Sequence, residues 1–174
     1  MLRSFFEWMD AMPTSLAWRE SLNGYPLLLT AHVVSMGLVA GVIIFWDMRL
    51  AGMALKRVPV SKIQDRMFPW MTVGLVINIV TGLVMVYSQP MRYYPNFYFW
   101  LKFIFMTLAA VNALYFHFTI NKTVAEWEHN PVTPFAARLA GVASLALWAG
   151  IIVTGRMIAY SGLVPDWWIA LELG

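Results

Sequence analysis

The chain has 174 residues, with 12 Lys and Arg against 9 Asp and Glu, a formal net charge of +3. It is 60% hydrophobic, 16% aromatic and 12% charged, about half the charged share of an ordinary soluble domain. That balance excludes a disordered chain, a nucleic-acid-binding domain and an ordinary cytosolic enzyme, and the lack of cysteine excludes disulfides, thiolate metal sites, iron–sulfur clusters and covalently attached haem.

The first 24 residues do not read as a signal peptide, because Glu7 and Asp10 interrupt the apolar run. Leu2, Phe5, Phe6 and Met9 recur at helical spacing beside Trp8, which predicts a short amphipathic helix in the membrane interface. Thr14 is the expected cap of a second short helix, and Asn23-Gly24 its expected end before Pro26 opens the first span. Four apolar stretches follow, at about 26–46, 67–87, 97–120 and 136–160. Each is long enough for a hydrocarbon core of about 30 Å, which takes roughly 20 residues. Lipid offers no partners for free backbone groups, so each stretch is expected to be a helix. The short connectors make neighbours antiparallel. The expected fold is an all-α integral membrane protein: an antiparallel four-transmembrane-helix bundle over residues 25–162, an interfacial helical segment at 1–24 and an interfacial tail at 163–174 carrying Pro165-Asp166-Trp167-Trp168.

The loops set the orientation. The first holds Arg49, Lys56, Arg57, Lys62 and Arg66; the third holds Lys122 and adjoins Arg138; the second has only Arg92. The positive-inside rule puts the first and third loops in the cytoplasm and both termini outside. The net positive charge is thereby accounted for without nucleic acid.

Ionisable residues at membrane depth are costly and mark candidate sites. His32, Lys102 and Arg156 fall at similar depth in the outer half of the first, third and fourth spans. Met36 lies one turn from His32 on the same helix face, and Met85 and Met157 lie at comparable depth. This cluster would suit a b-type haem with His32 on the iron, a quinone, or copper held by His32 and methionine sulfur. Lys102 and Arg156 would take haem propionates or another anion. An isolated intramembrane His also serves simply as an interhelical hydrogen-bonding group, and Lys and Arg snorkel to headgroups. His117 sits near the opposite end of the third span, roughly 20 Å from the depth of His32 at about 1.5 Å per residue. The two histidines therefore cannot share one haem within a subunit, and His117 is a separate candidate for cofactor binding. Near the cytoplasmic border, His117, Asp47 and Arg49 are candidates for an ion pair or polar network, whereas His129 reads as a surface residue.

Small and amide residues predict close helix packing: Gly74, Asn78 and Gly82 in the second span, Gly37 and Gly41 in the first, and Gly141, Ser144, Trp148 and Gly155 in the fourth. Asn78 and Asn112 are candidates for one interhelical bond. Phosphate-binding loops, dinucleotide fingerprints, nucleophile elbows and zinc-protease motifs are absent from the sequence.

Several phrases, among them LLLTAHVVSMGLVAG around His32, FWDMRLAG with Asp47 and Arg49, the Thr81-Gly82 pair, the segment from Asn96 to Phe118 with Lys102, Asn112 and His117, and Gly155-Arg156, together resemble an uncharacterised family of four-helix bacterial inner-membrane proteins. The chain is more distantly similar to the CopD-type copper-resistance membrane domain, with half its usual helices and no Met-rich loop. It also resembles four-helix b-type cytochromes in size, but lacks their paired histidines on facing helices. The resemblance implies the fold and an inner-membrane location. The functional expectation is a subunit accessory to a larger membrane or periplasmic redox system, binding haem b or a quinone in the outer leaflet. The alternatives are a metal-handling protein, or a structural and assembly subunit without cofactor.

Overall fold

The computed structural model describes residues 1–130, 132–160, 164, 165, 167 and 168. They form α1 (Leu2–Asp10), α2 (Pro13–Glu20), α3 (Gly24–Leu50), α4 (Val60–Ser88), α5 (Pro90–Tyr93), α6 (Phe97–Tyr115), α7 (Val124–Trp127) and α8 (Phe135–Met157), with no strand among them. A π-helical turn (Phe116–Ile120) and a 3₁₀ turn (Asn121–Thr123) prolong α6 into α7. Four helices are long and apolar enough to cross a membrane: α3, α4, the continuous 97–127 segment and α8. The chain is a multi-pass membrane protein, and most of the span surface faces outward into the bilayer.

Each span is bounded by local chemistry. Pro26 lies in the first turn of α3, where its missing N–H breaks no helical bond. At the other end, Gly52 has φ +72°. Gly52 N–H donates to the Arg49 carbonyl at 3.2 Å, and Met53 N–H donates to the Met48 carbonyl at 2.9 Å. These are the paired bonds of a Schellman stop, which glycine allows because it carries no Cβ. Pro59 precedes α4, which begins seven residues before the hydropathic span, at Val60. Asn96 caps α6 by accepting from Tyr98 N–H at 3.0 Å. The same side chain donates to the Ile158 carbonyl at 3.3 Å, tying the start of α6 to the end of α8.

Helix α3 packs along α4 and α8, and α8 packs along α6, but α4 and α6 scarcely touch. Among the described residues, the four spans therefore make an open bundle with a seam between α4 and α6. Two apolar cores close its ends. At the end bearing the basic loops, Trp46, Leu50, Val60, Ile63, Ile120 and Trp127 pack together. At the opposite end, here the cap side, Met85, Tyr93 and Phe99 form a smaller core with Tyr25 and Trp100 against it.

The N-terminal segment lies on the cap side as two helices. The buried Phe6 of α1 meets Tyr94 at 4.9 Å and Trp100 at 6.5 Å, while Leu2, Phe5 and Trp8 are exposed. Thr14 does not cap α2. Met12 holds the cap position with Pro13 behind it, and the Thr14 hydroxyl instead bonds the Tyr87 hydroxyl. Gly24 does not end α2 either: α2 stops at Ser21, whose hydroxyl accepts from Gly24 N–H at 2.9 Å, and Gly24 opens α3. Trp167 and Trp168 pack on Phe97 with centroids 5.4 Å apart, and Trp168 donates to the Pro95 carbonyl. The rest of the 163–174 tail expectation, Asp166 included, lies outside the described residues.

Candidate functional site

His32 occupies the α3 face that turns toward α4 and the bundle interior, and it is half-buried. Its ring Nδ1 lies 2.9 Å from the Thr81 hydroxyl oxygen. That hydroxyl donates into its own helix, to the Ile77 carbonyl at 2.7 Å, with the Asn78 carbonyl also in reach at 3.1 Å. A hydroxyl has one proton to give, so Nδ1 must be the donor to Thr81. The imidazole is thereby fixed with Nε2 as a lone-pair acceptor, which has no protein partner among the described residues. A histidine whose second nitrogen is anchored in this way is oriented for a ligand.

The backbone beneath the ring is also secured. The Asn78 amide donates to the His32 carbonyl at 2.9 Å and to the Ser35 hydroxyl at 3.2 Å. Such interhelical bonds contribute about 1 kcal/mol or less each in lipid. Glycine makes room for them. A Cβ on Gly74 would lie 3.0 Å from the Val39 side chain, and a Cβ on Gly82 would lie 3.2 Å from His32 Cε1.

Lys102 reaches the same interior from α6. Its aliphatic stem and Nζ pass Gly155 of α8, 3.6–3.8 Å from where a Cβ would stand. The ammonium has no hydrogen-bonding or acidic partner among the described residues. The structure thus joins His32 to Thr81 and Asn78 of α4 and lays Lys102 against Gly155 of α8, the first held rigidly and the second left unmatched among the described residues.

The other expected members are placed differently. Arg156 is exposed: its guanidinium donates to the Tyr160 hydroxyl at 2.8 Å and lies 5.1 Å over that ring. It turns toward the cap-side surface rather than joining Lys102. Met85 is buried in the core with Tyr93 and Phe99. Met36 and Met157 are half-buried. His117 is exposed on the π-helical turn with its ring 5.1 Å from Phe118, at the end of the bundle away from His32. Asn78 and Asn112 do not bond each other, because each serves a different interface: Asn112 donates to the Ala140 carbonyl of α8 at 3.0 Å. Gly37 and Gly41 face outward, with nothing within 4 Å of a Cβ built on either, so they do not serve packing within the chain. No group of three His, Cys, Asp or Glu that could hold a metal occurs among the described residues.

A second polar network lies at the basic end. Arg49 is 1% exposed and donates to the Val58 carbonyl at 2.7 Å, the Thr133 hydroxyl at 3.0 Å and the Glu128 carbonyl at 3.0 Å. It pins the α3–α4 loop to the α7–α8 loop. Glu128 adds to this clasp by accepting from Ser61 N–H at 3.0 Å. Hydrogen bonds from Ser61, followed by the nearby His129 and Arg49 charges, hold the Glu128 carboxyl below its ordinary pKa. The expected network at this border therefore forms around Arg49, without an Arg49–Asp47 ion pair and without His117. Asp47 is 3% exposed and faces Ser144, and its Oδ2 has no partner among the described residues.

The chain belongs to DUF6644, a family of unknown function, whose model covers residues 5–161. No curated protein and no solved structure matches it. The matched region runs from the cap helices through the last span, so it includes His32, Thr81, Lys102 and the Arg49 clasp.

Sequence reasoning missed the partners more than the positions. Thr81 stood out only beside Gly82, and Asn96 and Thr133 not at all. Their one signal is a polar residue at the edge of an apolar run, which many interfacial residues share.

Proposed function

We propose that this chain is a subunit of a larger redox system in a bacterial inner membrane, and that it holds a quinone between its helices at His32 and Lys102. The observation that carries this reading is the His32 ring anchored to Thr81 through Nδ1. It offers Nε2 as an acceptor, and Lys102, in the same half of the bundle, offers an N–H donor unmatched among the described residues. A quinol hydroxyl would donate to the first, and a quinone carbonyl would accept from the second. Gly82 lets the His32 ring lie close against α4, and Gly155 lets the Lys102 stem lie close against α8. The excess of basic residues around the α3–α4 and α7–α8 loops supports placing those loops in the cytoplasm, with the cap side and both termini in the periplasm.

A b-type haem would use the same Nε2 as its axial ligand. The geometry favours it less, because Met85, a candidate second ligand, is packed between Tyr93 and Phe99. Met36, one turn from His32, supports a copper-handling reading.

The deciding experiment is solvent extraction, absorption spectroscopy and metal analysis of detergent-purified protein. A stoichiometric quinone, lost in His32→Ala and Lys102→Ala, is the expected result. A Soret band dependent on His32 would replace quinone with haem, and bound copper would replace both with metal handling. A clean preparation that co-purifies with a larger complex would reduce the chain to a structural subunit.

A further inference from the structure

We propose that the occupant of the proposed His32–Lys102 site arrives from the lipid, sideways through the seam between α4 and α6, and leaves an apolar tail in that opening. This inference rests on the quinone reading and commits it to a long-tailed quinone of the bilayer rather than a water-soluble one.

Both ends of the seam are plugged. On the cap side, the α2 hydroxyl of Ser15 donates to the Tyr87 carbonyl at 2.8 Å, and Arg19 of α2 pairs with Asp10 of α1 at 2.7 Å. Phe6 then lies against Tyr94 and Trp100. Access from water on that side would have to displace both cap helices. At the basic end, Trp46 meets Phe68 of α4 at 4.9 Å and Phe116 at 5.8 Å, so one aromatic cluster joins the α4 and α6 sides.

Between the plugs the seam parts. Phe99, Phe103, Met106 and Ala110 form one row along α6 at helical spacing. Phe99 is 5% exposed and packs with Met85 of α4, whereas Phe103 is 45% and Met106 40% exposed, and Ala110 is also exposed. The row that starts as a helix contact thus becomes open to lipid within one turn. Behind it stand an unmatched ammonium and a fixed imidazole acceptor. Their complement is a head bearing carbonyl or hydroxyl oxygens, and the wall beside them suits hydrocarbon.

The test uses the whole protein in nanodiscs of uncharged phosphatidylcholine. The probe is a benzoquinone with a long alkyl tail that carries a photoreactive diazirine, and labelled residues are mapped by mass spectrometry. The expected result is labelling of the Phe103, Met106 and Ala110 row, competed at least about tenfold more weakly by the same quinone without a tail. Ala110→Phe, at an exposed position, should narrow the opening and lower that labelling while the fold persists. Tail labels on α1 and α2, or labels spread evenly over all lipid-facing helices, would overturn lateral access if headgroup binding still depends on His32. Binding indifferent to His32→Gln and Lys102→Ala would instead remove the site itself.

Discussion

The Nδ1 atom of His32 and the hydroxyl oxygen of Thr81 sit 2.9 Å apart across the α3–α4 interface. Because the Thr81 proton is committed to its own helix, this contact fixes the histidine tautomer as well as its position. Thr81→Val should free the ring to rotate and lower affinity for the proposed quinone about tenfold, as loss of an orienting partner does at other histidine ligands. Thr81→Ser should restore it. Isothermal titration of the three proteins with one quinone checks this, and equal affinities would show that the ring needs no anchor.

Arg49 should be the most sensitive position for stability. Its guanidinium satisfies two carbonyls and a hydroxyl from two different loops while almost fully buried. Arg49→Ala strands those acceptors, and with charge-assisted bonds contributing about 1.5–3 kcal/mol each, a loss of at least about 3 kcal/mol is expected. Arg49→Lys should recover little, because an ammonium lacks the planar fork that spans three acceptors. Thermal unfolding in detergent measures both, and a Tm within the error of wild type for Arg49→Ala would refute the clasp.

Glycines in this chain divide sharply by environment. A Cβ at Gly141 would stand 2.9 Å from the Asp47 carbonyl oxygen and 2.9 Å from Leu50 Cβ, so α3 and α8 would have to separate. Gly141→Ala is expected to destabilise by about 1–3 kcal/mol, the usual range for overpacking. Gly37→Ala and Gly41→Ala meet nothing and should be neutral or slightly stabilising through better helix propensity. The same unfolding assay separates the two classes, and a damaging Gly41→Ala would mean that this face packs against something outside the chain.

The Glu128 carboxyl supplies a pH dependence with a definite sign. Its folded-state pKa is depressed by Ser61, so its contribution to stability is present above the unfolded value of about 4.3 and disappears as pH falls through the folded value. Wild-type Tm should therefore decline on acidification below about pH 4.5. Glu128→Gln should show a shallower decline, and parallel curves for the two proteins would rule out this linkage.

Hydropathy and charge placement were enough to find four helices able to cross a membrane and the end at which the basic residues gather. These properties belong to the chain in one dimension, where about 1.5 Å of rise per residue turns sequence distance into depth. That is why His32 and Lys102 could be placed at one level, and His117 at the other end, without a structure. Rotation about each helix axis is not set by hydropathy when the surroundings are equally apolar on every side. Packing alone turned Arg156 out to Tyr160, sent Asn78 to α3 and Asn112 to α8, and left Gly37 and Gly41 facing lipid. The open seam between α4 and α6 likewise follows from which helices met, because an apolar surface is as stable against lipid as against another helix.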